Sequence, residues 1–436
     1  MSVVTRFPPS PTGYFHIGSA RTALFNYLFA AREGGVMYLR FEDTDKERSK
    51  KEYEEDIVNG LNWLGIPYAP ATPLRQSERL DAYRAYLHAL IEKGAAYEAE
   101  EGEKGGGKVV RFKNPNVRVT FSDLIRGEVS FDTTELKDFV IARNIDDPLY
   151  HLAVVADDHD MGITHIIRGE DHISNTQRQI LILEALGFAR PIYAHIPLIL
   201  APDRTKLSKR NFAASVNDYR RDGYLPEAFV NYLALLGWTP PGEEKLSVKE
   251  LVQKFDIQEV HKSGAIFDIQ KLKWLNREYM RDIPDAAFLK ELLDRVPAWN
   301  VDIAAKLMPL ARERMSVWSD LESLKADFDF FFAAPALDIQ KIPGKGSDAT
   351  SAARHLSELR KLLETLPSSG SVAAEQVKGI VWEYAEREGR GAVLWPLRYA
   401  LTGKERSPDP FVVSAVLGKE ATLMRIGAAL GMLKDS

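Results

Sequence analysis

The side chains best suited to phosphate chemistry stand close to the N-terminus, around His16 and Gly18. Val3 to Thr5 has the composition of a buried strand, a loop rich in Pro, Ser and Gly follows, and Ala20 to Ala31 has the apolar spacing of a helix. Free N–H groups at a helix N-terminus attract anions, and glycine lets an anion approach the backbone. The pattern predicts an anion site, although a lone histidine at a helix start is more often a cap or a packing residue.

A second group of candidate residues lies far downstream, in the segment KLSKR at residues 206–210. Turn-forming residues 201–205 precede this segment, so Lys206 and Lys209 are expected on a loop. Lysines in such a position can neutralise the charge of a phosphate during its transfer. Taken alone, the segment is more typical of a solvated basic loop than of a phosphate-binding site.

Carboxylates are concentrated at residues 42–45, directly after the strand predicted at Val36 to Phe41. In an open parallel sheet, ligands bind at the carboxyl ends of the strands. Glu42 is therefore a candidate for binding a positively charged group. An acidic loop that caps the helix beginning near Lys50 explains the spacing equally well.

Strands and helices alternate through the first half of the chain, which predicts an α/β fold with a parallel sheet. A charged, glycine-rich stretch at 98–108 and three short strands interrupt this alternation and indicate an insert. From Pro226 onward the sequence is almost wholly helical. The predicted elements are helices at 51–64, 77–93 and 175–186, insert strands at 109–112, 117–121 and 128–132, and strands at 163–168 and 194–200.

Composition excludes several classes of protein. The 436 residues exceed the size of a typical single domain and contain no cysteine, which excludes disulfides, thiol nucleophiles and cysteine-ligated zinc. No apolar run approaches the length of a membrane span, so we expect a cytoplasmic protein without membrane contact. The net charge of −5 does not indicate a nucleic-acid binder, and a nucleic-acid surface would have to be local.

Together these motifs resemble the signatures of the class I aminoacyl-tRNA synthetases. RFPPSPTGYFHIGS at 6–19 and KLSKR at 206–210 are similar to the two signatures of that class, and RFEDTD at 40–45 and IRGEDH at 167–172 resemble the glutamyl-tRNA synthetases. The string WPLRYALTG at 395–403 extends the resemblance to nearly the whole chain. The resemblance implies ATP-dependent formation of glutamyl adenylate, followed by transfer to tRNA(Glu), and a monomeric enzyme.

The resemblance also implies a role for individual residues. Residues expected to contact ATP, which would bring magnesium with it, are Thr12, Gly13, His16, Gly18, Asp171 and Lys209. Lys206 and Lys209, together with His16, are expected to stabilise the transition state. Residues expected to bind glutamate are Arg6, Tyr150 and Arg168 on the γ-carboxylate, with Ser10 and Glu42 on the α-ammonium. Without the motif, Arg168 fits a structural ion pair with Glu170 or Asp171 better.

Five regions are expected by the same resemblance. A Rossmann-like catalytic domain at 1–93 and 149–215 is split by a small α+β acceptor-binding insert at 94–148. An all-α stem-contact connector at 216–300 and an all-α anticodon-binding domain at 301–436 follow. The stretch between Tyr97 and Arg111 is much shorter than in typical relatives, which often carry zinc there, and without cysteine we expect none.

Two alternatives to the ligase, and one question about its tRNA substrate, stay open from the sequence. The first is a shortened relative that glutamylates a modified tRNA base, although that relative lacks the C-terminal helical domain. The second is a catalytically silent tRNA-binding relative. For the ligase itself, the sequence does not decide whether tRNA(Gln) is charged as well as tRNA(Glu).

A metal site at Asp157 to Asp160 is disfavoured, because four consecutive residues of a regular element cannot all point at one ion.

Overall fold

The computed structural model describes residues 2–101, 106–205, 215–344, 346–367 and 372–434. Contacts between Cα atoms divide the chain into two compact units, Met1–Tyr279 and Met280–Ser436. The first unit is mixed α/β and the second is helical, which confirms the predicted fold class. The finer domain limits given above remain predictions.

Among the residues that the structure describes, the strands all lie in the first unit. They are β1 (Val4–Phe7), β2 (Val36–Phe41), β3 (Ala69–Arg75), β4 (Ala96–Glu101), β5 (Gly106–Phe112), β6 (Arg118–Asp123), β7 (Gly127–Asp132), β8 (Phe139–Asn144), β9 (Asp147–Pro148), β10 (His165–Gly169), β11 (Ile192–Ile196), β12 (Ile199–Leu200) and β13 (Ala265–Ile266).

The helices run through both units. They are α1 (Ile17–Arg32), α2 (Lys51–Trp63), α3 (Leu80–Glu92), α4 (Tyr150–Asp160), α5 (Ile173–Leu186), α6 (Val216–Arg221), α7 (Pro226–Leu235), α8 (Val248–Lys254), α9 (Ile269–Asp282), α10 (Asp285–Arg295), α11 (Val301–Arg314), α12 (Leu321–Asp327), α13 (Ala349–Leu363), α14 (Ala374–Glu388), α15 (Arg390–Thr402) and α16 (Pro410–Lys434), the last kinked at Gly418. No helix in the described ranges is both long and apolar enough to cross a membrane.

Two groups of parallel strands form the main sheet of the first unit. β1, β2 and β3 pair in parallel in the order β1-β2-β3, and β10 pairs in parallel with β11. Thr164, just before β10, joins the groups, since its backbone N–H donates to the Val4 carbonyl at 2.9 Å and its hydroxyl accepts from the Val4 N–H at 2.8 Å. The carboxyl ends of β1, β2, β10 and β11 therefore lie along one edge, where parallel sheets bind ligands.

The strands of the predicted insert are divided between two sheets. Strands β4, β5, β8 and β9 form a separate antiparallel sheet. Strands β6 and β7 form a hairpin whose Asp123 pairs in parallel with Tyr193 of β11, so this hairpin extends the main sheet. The insert therefore reaches the edge at which the strands β10 and β11 end.

Element limits differ from the sequence prediction at two points near this edge. Helix α1 begins at Ile17 and not at Ala20, because the His16 side chain caps it. The strand predicted at 194–200 is divided into β11 and β12 around Pro197, which has no N–H to donate to a ladder. Both differences concern backbone that lies beside the same edge of the sheet.

Candidate active site

A cavity of about 570 Å³ opens at the carboxyl ends of β1 and β10. It is lined by eight of the residues singled out from the sequence, namely Arg6, Ser10, His16, Gly18, Glu42, Tyr150, Arg168 and Asp171. Of the other described candidates, Thr12 and Gly13 do not line it. Lys206 and Lys209 lie outside the described residues.

His16 forms the N-terminal wall of this cavity. It is the N-cap of α1, with an extended backbone, and its Nδ1 accepts from the Ser19 N–H at 3.3 Å. A Cβ atom at Gly18 would stand 3.2 Å from the imidazole ring, so glycine leaves room for the ring. The capping role and the position in the cavity occur together, because an N-cap lies beside the free N–H groups that attract an anion.

The chain on either side of residues 206–214 meets this site. Ile199, upstream of that segment, lines the cavity. Downstream, Ser215 forms a β-bridge with His16, and the Val216 N–H donates to the Phe15 carbonyl at 2.7 Å. On both sides of the KLSKR segment, described residues therefore lie beside the cavity.

A buried ion-pair network that we call the Arg40 cluster consists of Arg40, Glu42, Asp157 and Asp158. Arg40 donates through Nη1 to Asp158 at 2.7 Å and through Nη2 to Glu42 at 3.1 Å, and its Nε lies 3.7 Å from Asp157. All four side chains are at least nine-tenths buried. The two aspartates are thus engaged in ion pairs, and no group of three or more metal-ligating side chains occurs within the described ranges.

Arg6 connects this cluster to the cavity. Its Nε donates to both carboxylate oxygens of Asp158, at 3.2 and 3.4 Å. Burial alone would raise the pKa of Asp158, but the guanidinium groups of Arg6 and Arg40 outweigh it and lower the pKa. The Nη1 of Arg6 is buried and has no hydrogen-bond partner among the described residues.

Arg168, at the end of β10, has a different environment. Together with His195 and Thr176 it forms what we call the Arg168 cluster. Its Nε donates to His195 Nε2 at 3.2 Å and its Nη2 donates to the Thr176 hydroxyl at 2.7 Å. The Nη1 atom is again buried without a partner in the described structure. Burial lowers the pKa of Arg168, and the charge of Arg6 lowers it further. Glu170, one alternative partner, is instead paired with Arg126 at 2.7 Å.

The remaining wall carries Tyr150 and His172, which are uncharged near neutral pH, and Glu42. The Tyr150 hydroxyl lies 3.2 Å from His172 Nδ1, and burial raises the pKa of this phenol. Burial and the charge of Arg168 lower the pKa of His172 to about 4. Burial also raises the pKa of Glu42, although Arg40 and Arg6 oppose that change.

Sequence reasoning missed four of the side chains that build this site. Arg40 stands within a quoted motif but was not assigned a role, and Asp158 was considered only as a metal ligand. Arg21 lines the cavity and donates to the Pro197 carbonyl, and burial lowers its pKa to about 9. The fourth, His195, reaches Arg168 across adjacent strands, and no local pattern signals such a contact.

The arrangement suits an anionic ligand. Arg6 and Arg168 each present a buried N–H donor for which the described residues offer no acceptor, and both line one cavity. A guanidinium fork binds a carboxylate or phosphate with parallel hydrogen bonds. The helix N-terminus at His16 adds a second anion-attracting feature.

Two family models match the chain. The catalytic domain of class I tRNA synthetases (E and Q) matches residues 2–104 and 98–274, and an anticodon-binding domain matches residues 272–430. Together they cover nearly all of the sequence.

Similar proteins match over the whole length. A glutamate–tRNA ligase of Desulforamulus reducens is 39% identical, with 99% of this chain and 100% of that protein covered. One from Aquifex aeolicus is 40% identical, covering 97% and 98%. A crystal structure of a glutamate tRNA ligase from Elizabethkingia meningosepticum in complex with its amino acid superposes with a TM-score of 0.89 at 33% identity, covering 99% and 100%. The chain therefore belongs to the glutamate–tRNA ligase family of class I tRNA synthetases.

Proposed function

We propose that this chain activates glutamate with ATP and attaches it to the 3′ end of tRNA(Glu). The observation that carries the proposal is the pair of buried guanidinium groups, Arg6 and Arg168, each with an Nη1 that has no partner among the described residues. A buried charge without a counter-charge is costly unless a ligand compensates it. Arg6 already pairs with Asp158, whereas Arg168 has only neutral partners. The γ-carboxylate of glutamate therefore supplies an acceptor to both guanidinium groups and the missing counter-charge to Arg168.

The amino-acid pocket distributes its contacts by charge. Arg6, Arg168 and the Tyr150 hydroxyl bind the γ-carboxylate. The α-ammonium is bound by Ser10 and Glu42. In support, Glu42 is held at one oxygen by Arg40 and lines the same cavity as the two arginines.

The nucleotide occupies the end of the cavity beside α1. We assign His16, Gly18 and Asp171, which line the cavity, to ATP, together with Thr12 and Gly13 from the loop that precedes them. The N-terminus of α1, which lines the cavity, favours the negative charge of the phosphates. Within the described ranges no cluster of side chains could hold a metal, so magnesium would be held by phosphate oxygens and water.

The reaction needs no nucleophile from the protein. One oxygen of the glutamate α-carboxylate attacks the α-phosphorus of ATP, the bond to the bridging oxygen breaks, and pyrophosphate leaves. A ribose hydroxyl of the terminal tRNA nucleotide then attacks the activated carbonyl, and AMP leaves. Positioning and positive charge supply the catalysis, and we assign the charge stabilisation to His16, Lys206 and Lys209.

The helical second unit has the role of reading the tRNA. In support, the anticodon-binding family model matches residues 272–430. A shortened relative that modifies a tRNA base would lack such a domain, so that alternative is disfavoured. The silent-relative alternative is disfavoured because the cavity retains His16, Glu42 and Arg168. We further propose a monomer in the cytoplasm.

The test is ATP-dependent attachment of radiolabelled glutamate to separately transcribed tRNA(Glu) and tRNA(Gln). We expect label on tRNA(Glu), and label on tRNA(Gln) as well would identify a non-discriminating ligase. Lys209→Ala should abolish most of the labelling without changing the melting temperature, because a lysine that the sequence predicts on a solvated loop contributes little to folding. Absence of label on both tRNAs with the wild-type protein would contradict the proposal.

A further inference from the structure

The hairpin of β6 and β7 has a turn that contacts His195, the neighbour of Arg168. Asp123, at the end of β6, is 2% exposed. Its Oδ1 accepts from the backbone N–H groups of Ile125 at 2.9 Å, Arg126 at 2.8 Å and His195 at 3.3 Å. These three donors fix the orientation of the carboxylate, and its Oδ2 lies 2.6 Å from His195 Nδ1.

The hydrogen bonds around His195 define its tautomer. Arg168 Nε carries a proton and donates to His195 Nε2, so Nε2 must be the unprotonated acceptor. The ring proton is therefore on Nδ1, where it is donated to Asp123. The Thr176 hydroxyl accepts from Arg168 Nη2 and donates to the His172 carbonyl at 3.4 Å, so the single lone pair of Nε2 is left to Arg168.

The planar guanidinium is thereby fixed by two of its three nitrogens. His195 holds Nε and Thr176 holds Nη2, so the direction of the remaining Nη1 is set. That Nη1 is the group assigned above to the γ-carboxylate. His195 has no exposed surface, so water does not compete for its acceptor.

We infer that Asp123 and His195 are positioning residues for glutamate recognition: Asp123 selects the His195 tautomer, and His195 in turn aims Arg168 at the substrate. This inference rests on the proposed function. It also links the insert hairpin to the amino-acid pocket, since Asp123 and Arg126 belong to the hairpin turn and Arg126 donates to the His195 carbonyl at 3.1 Å. A substitution of Asp123 in the hairpin should therefore change the affinity for glutamate.

Asp123→Asn is the sharpest variant. The three backbone N–H groups keep the amide oxygen in place of Oδ1, so the amide NH₂ must face His195 Nδ1. Nδ1 then has to accept, the ring proton moves to Nε2, and two donors face each other at Arg168 Nε. Loss of a charge-assisted hydrogen bond should raise the KM for glutamate by about tenfold or more, while the KM for ATP stays unchanged.

The matched control is Asp132→Asn, the same change at an exposed position of the same hairpin. Asp132 accepts from the Thr134 hydroxyl at 2.8 Å and lies outside the cavity lining. We expect wild-type kinetics from this variant. Both variants are measured by tRNA-dependent ATP–pyrophosphate exchange at varied glutamate and varied ATP.

Histidine-selective ¹⁵N labelling provides a readout that a purely structural role would not change. The long-range ¹H–¹⁵N spectrum should show His195 protonated at Nδ1 in the wild type and at Nε2 in Asp123→Asn. A raised glutamate KM together with the tautomer change supports the inference. An unchanged KM, or a raised KM with an unchanged tautomer, would overturn it.

A second pair of variants decides the matter if Asp123→Asn does not fold. His195→Asn can still bond to Asp123 but not to Arg168, whereas His195→Gln reaches as far as Nε2 and keeps an acceptor for Arg168. The inference requires the lower glutamate KM in His195→Gln, and the reverse order contradicts it. If wild-type protein fails to exchange pyrophosphate with glutamate, the proposed function has failed, while the tautomer measurement still tests the Asp123–His195 relation.

Discussion

Two buried arginines close to one cavity have opposite surroundings: Arg168 lines the cavity, and Arg40 lies behind the lining residue Glu42. Arg40 is surrounded by Glu42 and two aspartates, and Arg168 bonds to a neutral imidazole and a hydroxyl. Both side chains are almost completely buried. Each carboxylate of the Arg40 cluster is paired within the protein, since Arg6 also pairs with Asp158 and Arg79 with Asp157. The Arg168 cluster, in contrast, carries a positive charge that the described protein groups do not neutralise.

The difference separates structural charge from recognition charge. A buried ion pair with several hydrogen bonds satisfies itself and resists the removal of one member. A buried cation with only neutral partners is destabilising, and such sites persist where a ligand completes them. The sequence alone gives no sign of this division, since Arg40 and Arg168 both stand in motifs beside acidic residues.

Removing Arg40 should have the largest effect on folding. Arg40→Met leaves Glu42 and the two aspartates buried with fewer counter-charges, and we expect a loss of about 3–5 kcal/mol in the free energy of unfolding. Urea denaturation at neutral pH measures it. A loss comparable to that of an ordinary surface substitution would show that the Arg40 cluster is not a structural unit.

Removing Arg168 should affect substrate recognition more than folding. Arg168→Gln deletes the donor assigned to the γ-carboxylate, so kcat/KM for glutamate should fall on the order of 100-fold or more. The free energy of unfolding should change less than in Arg40→Met, because no buried carboxylate loses its partner. A collapse of stability with an unchanged KM would reverse the roles of the two arginines.

An exposed ion pair in the second unit should give the smallest effect. Lys290 and Asp294 are 2.8 Å apart on α10, with side chains 77% and 59% exposed. Solvent screens such pairs, so Lys290→Ala should leave the melting temperature unchanged within error. Differential scanning calorimetry measures it, and a clear decrease would show that exposure is the wrong criterion for separating these charges.

The sequence predicted the α/β alternation because apolar periodicity is local. It also brought Arg6, Glu42 and Arg168 into one proposed site through motif resemblance, and all three line the cavity. The pairing of β6 with β11 could not be predicted from the sequence, because contacts between distant strands leave no periodic signal. For that reason the Asp123–His195 contact could be found only in the folded structure.

The capping histidine shows why a local interpretation was incomplete. His16 was weighed as either a helix cap or a phosphate ligand, and the structure shows the cap. The same residue lines the cavity, because the N-terminus of α1 is itself the cavity wall. A choice between the two roles could not be made from the spacing alone, and the ATP contact stays a prediction.

The most direct test of the central claim compares glutamate with glutamine in tRNA-dependent ATP–pyrophosphate exchange, using the wild type and Arg168→Gln. If Arg168 binds the γ-carboxylate, the wild type should prefer glutamate by a ratio on the order of 10⁴, because the neutral amide leaves a buried guanidinium without its counter-charge. In Arg168→Gln that ratio should fall by about two orders of magnitude. An unchanged ratio would place the selection of glutamate elsewhere in the molecule.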